Sequence, residues 1–592
     1  MKILGISGID GTVSFKRRQW PGLDDREYRI SQGHDSAAAL VVDGEFVAGV
    51  AEERISRRKH TGDFPVGAIE ACLGDVGLDI ADVDEVVHGF DYAPYRVQYA
   101  LDPVSAALYR DVLSREAFLA QVRRTLPAVP AERVHHVDHH LAHAASAYYT
   151  SGWNRCLVVV IDGMGEAHGA TVYTASDGQV TPVHRIPAAD SIGIFYSILT
   201  LHLGFEFNSD EYKVMGLAPY GDAERHRTFF EKAVEFRGDG TWHIPMLKLD
   251  RTRDERENHT AARRYLSEHL IAPRDVDTEI TRDHEDVAAA LQGCLDRVIQ
   301  HLCGHFGREL RMTRLALAGG VALNTTANAR LLEAGIFEEL YVQPAAADDG
   351  TALGAALNRA ALAGEVVNRR SPTPFYGPAH GAMRLDSALT EFAERIEVTR
   401  LGSLGEACEA AADLIAGGEV IAWYRDRMEF GPRALGHRSI LADPARGDMR
   451  DRVNALVKMR EAFRPFAPAV TLEQASRWFE IEPGIELPYM NVNVNVRPEY
   501  RSQLPATTHV DGSARIQTVS SVDNASFHTL LEAVGRRTGR EIVLNTSFNV
   551  KGQAIVNTPE EALDTFLGTG IEALFLEDVM VRKREGVGDR QR

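Results

Sequence analysis

The run MKILGIS at residues 1–7, followed by AAALVVDGEFVAGV at residues 37–50, places the strongest constraint on what this chain can fold into. The first fits a buried strand, and the second reads as two strands joined by Asp43-Gly44, a dipeptide suited to a tight hairpin turn. The same grammar returns at residues 156–186, CLVVVIDGMGEAHGATVYTASDGQVTPVHRI, as a buried strand ending in Asp162-Gly163 and a hairpin turning at Asp177-Gly178. A chain that writes one strand-and-hairpin unit twice is committed to two sheets of one design. Farther on, RLALAGGVALNTTANARLLEAG at 314–335 and ELYVQPAAADDGTALGAALNRAAL at 339–362 each read as strand, turn and helix. The turn at Gly319 and Gly320 opens a helix whose first N–H groups suit an anion.

Two such units facing each other resemble the ATP-binding folds shared by actin, sugar kinases and heat-shock chaperones, in which the nucleotide lies between the halves. That likeness concerns fold, and fold alone does not give function. At 592 residues the chain exceeds what one core serves. The segment GEVVNRRSPTPFYGP at 364–378 is rich in turn formers and has no period, so it reads as a linker, with a domain cut near residue 385. Beyond it, EACEAAADLIAGG and EEALDTFL read as helices, and EVIAWY and EIVLNTSFNV as strands, which makes a second α/β domain at 385–592 after the first at 1–384. Residues 10–31 read as a long loop, and the tail GVGDRQR as disordered.

The charge balance narrows the partners. With 84 acidic against 65 basic residues, the net charge of -19 repels a phosphate backbone, which disfavours nucleic acid. The five cysteines are scattered with no C-x-x-C pair, so neither a disulfide framework nor a thiolate zinc site is expected, and a reducing cytoplasm fits. No apolar stretch approaches the ~20 residues that span a bilayer, so no membrane partner is expected.

Four groups of residues could carry chemistry. VDHHLAHAASAYY at 137–149 sets His139 and His143 four apart on one helix face, yet 22 histidines in this length give roughly one such pair by chance. Core histidines are the plain alternative. Company favours a metal: Asp162 and Asp348 both sit at the ends of predicted buried strands beside glycines, where carboxylates can point into a cleft, and a His₂Asp₂ set without thiolate suits Fe(II), Zn(II) or Mn(II). His34 of GHDSAAAL and Lys59 of SRRKH lie on either side of the first hairpin. Glu211 and Lys213, in an EYKVMG turn after an apolar helix, could bind a nucleotide's ribose or phosphate. MEFGPRALGHRSILADP and KMREAFRPFAP place Arg433, Arg438, Lys458, Arg460 and Arg464 in loops, where arginine forks suit a small phosphate or carboxylate.

Taken in order, HDSAAALVVDG, EERISRRKH, HHLAHAASAYY, IDGMGE, EYKVMGLAPYG, GGVALN, PAAADDGTALG, FGPRALGHRS, REAFRPFAP, ARIQTV and NTSFN resemble the O-carbamoyltransferases of the nodulation and tobramycin type. The resemblance covers nearly the whole chain. It implies an N-terminal domain like the tRNA threonylcarbamoyl transferase and a C-terminal domain like the synthase of threonylcarbamoyl-adenylate. It implies ATP, Mg2+ and carbamoyl phosphate as substrates and cofactors, with carbamoyl-adenylate between the two domains. On that basis Arg433 and Arg464, with Arg515 of ARIQTV, would hold carbamoyl phosphate. His139, His143, Asp162 and Asp348 would hold the metal, Fe2+ first. His34 would serve as general base on the acceptor hydroxyl while Lys59 stabilises developing negative charge. Glu211, Lys213, Gly319, Gly320, Asn324, Arg438, Lys458, Arg515, Asn545 and Ser547 would line the cofactor sites. Two segments depart from the family's pattern: residues 10–31 lengthen the first connection, and GQAIV, with Gln553 and Ala554, follows NTSFNVK in place of GEPIV.

The leading expectation is an ATP-dependent carbamoyltransferase acting on a hydroxyl of a small molecule, a sugar or macrocycle of secondary metabolism, with a homodimer left open. The alternatives are a tRNA threonylcarbamoyl-type modifier and a non-catalytic actin-like nucleotide switch.

Overall fold

A computed structural model describes every residue except 368, 369, 372, 462 and 585–592; the predicted disordered tail lies outside the described residues. The chain divides into two compact units, one of Met1–Glu53 and His60–Ser371, the other of Arg54–Lys59 and Pro372–Arg592. The division falls ahead of the residue-385 cut, and six residues of the N-terminal half belong to the second unit.

In the first unit both expected hairpins form. Asp43 and Gly44 have φ of 50° and 78°, and Asp177 and Gly178 have 51° and 78°. Positive φ at both central residues is the type I′ geometry whose twist matches flanking strands. The first sheet contains β1 (Lys2–Ile6), β2 (Ala37–Val42), β3 (Glu45–Ala51), β4 (Glu85–His88) and β5 (Val134–His136), in the order β3-β2-β1-β4-β5. The second repeats it with β6 (Arg155–Ile161), β7 (His168–Ser176) and β8 (Gln179–Pro187). After the short ribbon β9 (Glu235–Phe236) and β10 (Trp242–His243), it continues with β11 (Arg314–Ala318) and β12 (Glu339–Val342), in the order β12-β11-β6-β7-β8. In each, the first three strands run antiparallel and the last two join parallel to the first. This is the duplicated α/β topology of the actin-like class.

Helices His139–Ser151 and Asp349–Leu362 belong to this unit and touch through small residues. A side chain at Gly354 would meet the Ala142 carbonyl at 1.7 Å, so glycine is what permits the approach. The close crossing carries the amino end of one helix towards the histidines of the other.

Two local expectations are corrected. Residues 10–31 are not a bare loop: they contain helix Thr12–Gln19 and a turn Asp25–Tyr28 closed by a capping box between Asp24 and Glu27. Phe15, Lys16 and Tyr28 are buried, and the Lys16 ammonium donates to the carbonyls of Ile30 and Glu257. EYKVMG is likewise the helix Glu211–Leu217 rather than a turn.

The second unit is built on a mixed eight-stranded sheet. Its strands are β13 (Ile396–Arg400), β14 (Ile421–Tyr424), β15 (Arg438–Ala442), β16 (Ala467–Thr471), β19 (Gln517–Val519), β20 (Ile542–Ser547), β21 (Ala573–Leu576) and β22 (Val579–Lys583), in the order β13-β22-β21-β14-β15-β20-β16-β19, with a ribbon of β17 (Asn493–Asn495) and β18 (Ser513–Arg515) beside it. Alternation along β14 explains its two cores. Trp423 faces helices Leu404–Ala416 and Ala525–Thr538, while Tyr424 and Ala422 join the cluster containing Phe466 and Phe566. Arg438, expected in a loop, opens strand β15 and is fully buried.

Candidate functional site

Asp138 caps the histidine helix by accepting from the Leu141 N–H at 2.9 Å, which starts the helix so that His139 and His143 fall one turn apart on one face. Both are completely buried. The His139 ring stacks on Phe90 at 4.0 Å, and its Nδ1 donates to the Gly89 carbonyl at 3.1 Å. That bond assigns the proton to Nδ1 and turns the Nε2 lone pair inward, the arrangement that orients metal-binding histidines.

Asp162 follows the last residue of β6 as expected, whereas Asp348, expected at a strand end, directly precedes helix Asp349–Leu362, because the chain continues past β12 before the helix starts. One donor atom from each of His139, His143, Asp162 and Asp348 lies within 4.8 Å of all the others. His139 Nε2 is 3.5 Å from Asp162 and 3.4 Å from Asp348, and His143 Nε2 is 3.7 Å from Asp348. His143 Nδ1 is buried without a hydrogen-bond partner among the described residues. Burial opposes charge on His139, but Asp348 and Asp162 outweigh it and raise its pKa; burial likewise opposes charge on Asp162, whose carboxyl His139 and His143 hold low. Two inward imidazoles and two carboxylates, with no thiolate, fit a divalent transition metal.

The glycine turn serves this cluster directly. Gly319 has φ of 90°, and a side chain there would meet the Ile161 carbonyl at 2.3 Å. This close approach brings the Gly320 N–H within 3.1 Å of Asp162 Oδ1. Asn324 caps helix Thr325–Glu333 through the Ala327 N–H and bonds Gln292 with its amide.

His34 Nε2 lies 3.1 Å from the Arg29 carbonyl and 3.2 Å from the Ser31 hydroxyl. A carbonyl can only accept, so Nε2 carries the proton in the neutral ring and Nδ1 is the basic nitrogen. Burial lowers the His34 pKa, with Asp35 acting the other way. The inserted residues 10–31 therefore supply the atoms that set this tautomer. Glu211 is partly buried, its desolvation raises its pKa, and it accepts from the Ser197 hydroxyl and Asn208 N–H at 2.6 and 2.9 Å. Lys213 pairs with Asp210 at 2.8 Å.

Sequence reasoning missed Glu166 as a supporting residue, although it closes the IDGMGE run. It accepts from the main-chain N–H groups of His139 and Asp91, at 3.0 and 2.7 Å, and burial with Asp138 nearby pushes its pKa up to about 7.

The second unit assembles positive charge. Burial, then the charges of Arg433, Arg460 and Arg464, pull the Arg515 pKa well below the usual arginine value. A guanidinium keeps its proton even so. An anion between these groups would offset both the burial and the repulsion. Arg515 Nε is buried without a hydrogen-bond partner among the described residues. Arg460 lies over Phe466 at 4.1 Å, and Arg464 stands 3.6 Å from Glu461. Beside them Asn545 donates to Gln517 at 2.9 Å, and its own Oδ1 is buried and unpaired among the described residues.

Lys458 and Arg438 hold backbone. The Lys458 ammonium binds the Asn549 side chain and carbonyl at 2.8 and 3.0 Å and the Ser547 hydroxyl at 3.1 Å. Burial, with Arg460, Arg464 and Lys59 nearby, depresses its pKa. Arg438 donates to the carbonyls of Arg425, His437 and Asp426 and lies 3.6 Å over the Tyr424 ring. A second residue missed in the sequence, Glu429, gathers the N–H groups of Leu435, His437 and Arg438 onto one oxygen at 2.8, 3.0 and 3.2 Å. It thereby folds the loop that carries Arg433. Lys59, grouped by sequence with His34, belongs to this second unit.

A duplicated actin-like unit bearing a His₂Asp₂ cluster, joined to an arginine-rich α/β unit, is the setting in which sequence comparison places the chain. Residues 28–357 match the carbamoyltransferase N-terminus family and residues 412–583 the carbamoyltransferase C-terminus family. The chain belongs to the carbamoyltransferase family and is an enzyme of carbamoyl transfer. It is 40% identical to nodulation protein NolNO of Sinorhizobium fredii over 93% of this chain and 79% of that protein. It is 30% identical to the 3'-hydroxymethylcephem-O-carbamoyltransferase of Streptomyces clavuligerus over 94% of this chain and 98% of that protein. Among the described residues no helix is long and apolar enough to cross a membrane.

Proposed function

We propose that the protein is an ATP-dependent O-carbamoyltransferase that uses carbamoyl phosphate and acts on a hydroxyl of a small molecule. The observation that carries this reading is the cluster of Arg433, Arg460, Arg464 and Arg515, whose like charges are crowded and partly desolvated in an acidic protein. Such crowding suits a compact, multiply charged anion. In this reading Arg433, Arg464 and Arg515 hold the phosphate of carbamoyl phosphate. Water displaces phosphate to give carbamate, whose oxygen attacks the α-phosphorus of Mg2+-bound ATP, forming carbamoyl-adenylate and releasing pyrophosphate. The acceptor hydroxyl then attacks the carbamoyl carbon, His34 Nδ1 takes its proton, and AMP leaves. Ser547, Asn545, Gly319, Gly320, Asn324 and Glu211 act mainly by holding the walls of these sites.

His139, His143, Asp162 and Asp348 would hold a divalent metal, Fe2+ first, with Zn2+ or Mn2+ also suited to the donor set. When bound, it would supply a Lewis acid. The cephem and nodulation relatives support a secondary-metabolite hydroxyl as acceptor, and the charge of -19 disfavours tRNA.

Incubating purified, iron-loaded protein with carbamoyl phosphate and ATP, without acceptor, tests the donor half. Carbamoyl phosphate-dependent phosphate and pyrophosphate, with carbamoyl-adenylate seen by mass spectrometry, are expected. If folded, metal-loaded protein forms none of them, the route through ATP, carbamoyl phosphate and carbamoyl-adenylate falls.

A further inference from the structure

Residues 10–31, inserted between β1 and β2, are bonded to both lobes of the first unit, the halves built on its two sheets. Their flanks stay with the first sheet, where the Ile9 N–H donates to the Gly33 carbonyl at 3.1 Å. Their middle is fastened to the long connection between β8 and β11. Lys16, 2% exposed, donates to the carbonyls of Ile30 and Glu257 at 2.6 and 2.9 Å and pairs with the Glu257 carboxylate at 3.3 Å. The Trp20 indole donates to Asp254 at 2.9 Å, and Arg29 pairs with Glu206 at 3.1 Å. A buried ammonium whose donors are committed to carbonyls and a carboxylate is a cross-link rather than a binding group.

One of these fastenings reaches His34. Asn208, in the second lobe, has φ of 55°, a left-handed conformation that asparagine tolerates. Its main-chain N–H donates to Glu211 at 2.9 Å, and its side-chain amide donates to the carbonyls of Arg29 and Ser31 at 3.2 and 3.1 Å. The Arg29 carbonyl is the one that His34 Nε2 meets at 3.1 Å. A carbonyl oxygen has two lone pairs, so it serves both donors at once. The amide of one lobe and the imidazole of the other are thus held on a single oxygen atom.

We propose that residues 10–31 are a strap across the two lobes and that Asn208 is the positioning residue for His34. By holding the Arg29 and Ser31 carbonyls, Asn208 keeps the ring proton on Nε2 and the basic lone pair on Nδ1. Without it the strap end is free to turn, the Arg29 carbonyl no longer faces Nε2, and the ring exchanges tautomers. The task of His34 as base on an acceptor hydroxyl rests on the reading above; the strap and the tautomer do not. The base of one lobe then depends on a residue of the other, through an insertion that lies between them in the chain.

The test compares full-length Asn208→Gly and Asn208→Asp with the wild type, after melting curves establish that each folds. Glycine accepts the positive φ but removes the amide, and aspartate keeps the shape but puts oxygen where the N–H donors stood. Two readouts need no acceptor. One is hydrogen exchange over residues 12–31, followed by mass spectrometry. The other is the nitrogen NMR spectrum of protein carrying isotope-labelled histidine, recorded at alkaline pH where the ring is neutral, with His34 assigned as the signal lost in His34→Gln. The wild type should show His34 with its proton on Nε2. Both variants should exchange about tenfold faster at the strap's end, as loss of anchoring hydrogen bonds allows, and show His34 averaged between tautomers. A wild-type proton on Nδ1 would overturn the proposal, as would a His34 signal that neither variant moves, since a merely structural role loosens the strap and leaves the tautomer alone. If the tautomer responds but the wild type forms no carbamoyl-adenylate from carbamoyl phosphate and ATP, the strap stands and the reading of the reaction falls.

Discussion

The two units solve opposite electrostatic problems in opposite ways. In the first, His139, His143, Asp162 and Asp348 converge from one helix, one strand end and one helix start, with His139 aimed by the Gly89 carbonyl and the Phe90 ring and Asp162 by the Gly320 N–H. In the second, Arg433, Arg460, Arg464 and Arg515 are half-buried, and the loop bearing Arg433 takes its shape from one carboxylate, Glu429. A metal demands fixed donor positions, which regular elements provide. An oxyanion is held by charge and by forks with several usable geometries, which loops and the end of the short strand β18 can deliver.

The comparison breaks if the sites cannot be damaged separately. Replacing His143 with Ala removes a donor, so bound metal should fall by more than the roughly 10- to 100-fold associated with lost supporting residues. Acceptor carbamoylation should fall with it, while carbamoyl phosphate-dependent phosphate release survives; metal analysis beside both assays decides. Unchanged metal content would remove His143 from the cluster. Arg515→Ala should show the converse, with phosphate release down by about 100-fold, as for loss of one charge-stabilising donor, and metal content untouched. Equal loss of both activities in either variant would mean that the two sites act as one.

A milder change sharpens the contrast in how the sites are supported. Glu429→Gln keeps the shape but weakens three bonds to main-chain N–H groups, so a loss of about 2 kcal/mol in stability and a severalfold higher KM for carbamoyl phosphate are expected. Urea unfolding and steady-state kinetics would measure them. No such effect on metal content should follow.

The same contrast explains what could be read in advance. The convergence of His139, His143 and Asp162 was legible because period and punctuation fix them, histidines four apart on a helix and an aspartate at a strand end, whereas Asp348, expected at a strand end, starts a helix instead. The duplicated sheet was legible for a similar reason, since hydrophobic runs and Asp-Gly turns are local signals. The allegiance of Lys59 was not local. Six residues of an N-terminal hairpin joining another unit depend on contacts with residues almost 500 positions away, such as Ala554 and Ile555. Arg438 was hidden by its neighbours, because Gly431, Pro432 and Gly436 mark a loop and mask the strand that begins immediately afterwards. Within residues 10–31 a signal did exist: Asp24 followed three positions later by Glu27 is a helix start, and it was outweighed by the polar run around it.

The smallest expected effect separates the regions by pH. His88, at the end of β4 next to the Gly89 that orients His139, donates from Nε2 to the Gly8 carbonyl at 2.8 Å and stacks on Phe118 at 4.0 Å. Burial, with His136 nearby, pushes its pKa down to about 3 from an ordinary 6.5. Between those values the unfolded chain holds a proton that the folded chain does not, so stability rises with pH across that window and is fully present above 6.5. At pH 5 the deficit attributable to this ring is about 2 kcal/mol. His88→Gln should therefore flatten the difference between urea midpoints at pH 5 and pH 7.5. The arginine pocket offers no equivalent handle, because guanidinium groups do not titrate in this range. Arg515→Ala should leave that pH difference as it is in the wild type, and a change as large as that of His88→Gln would show that the two regions unfold as one titrating system.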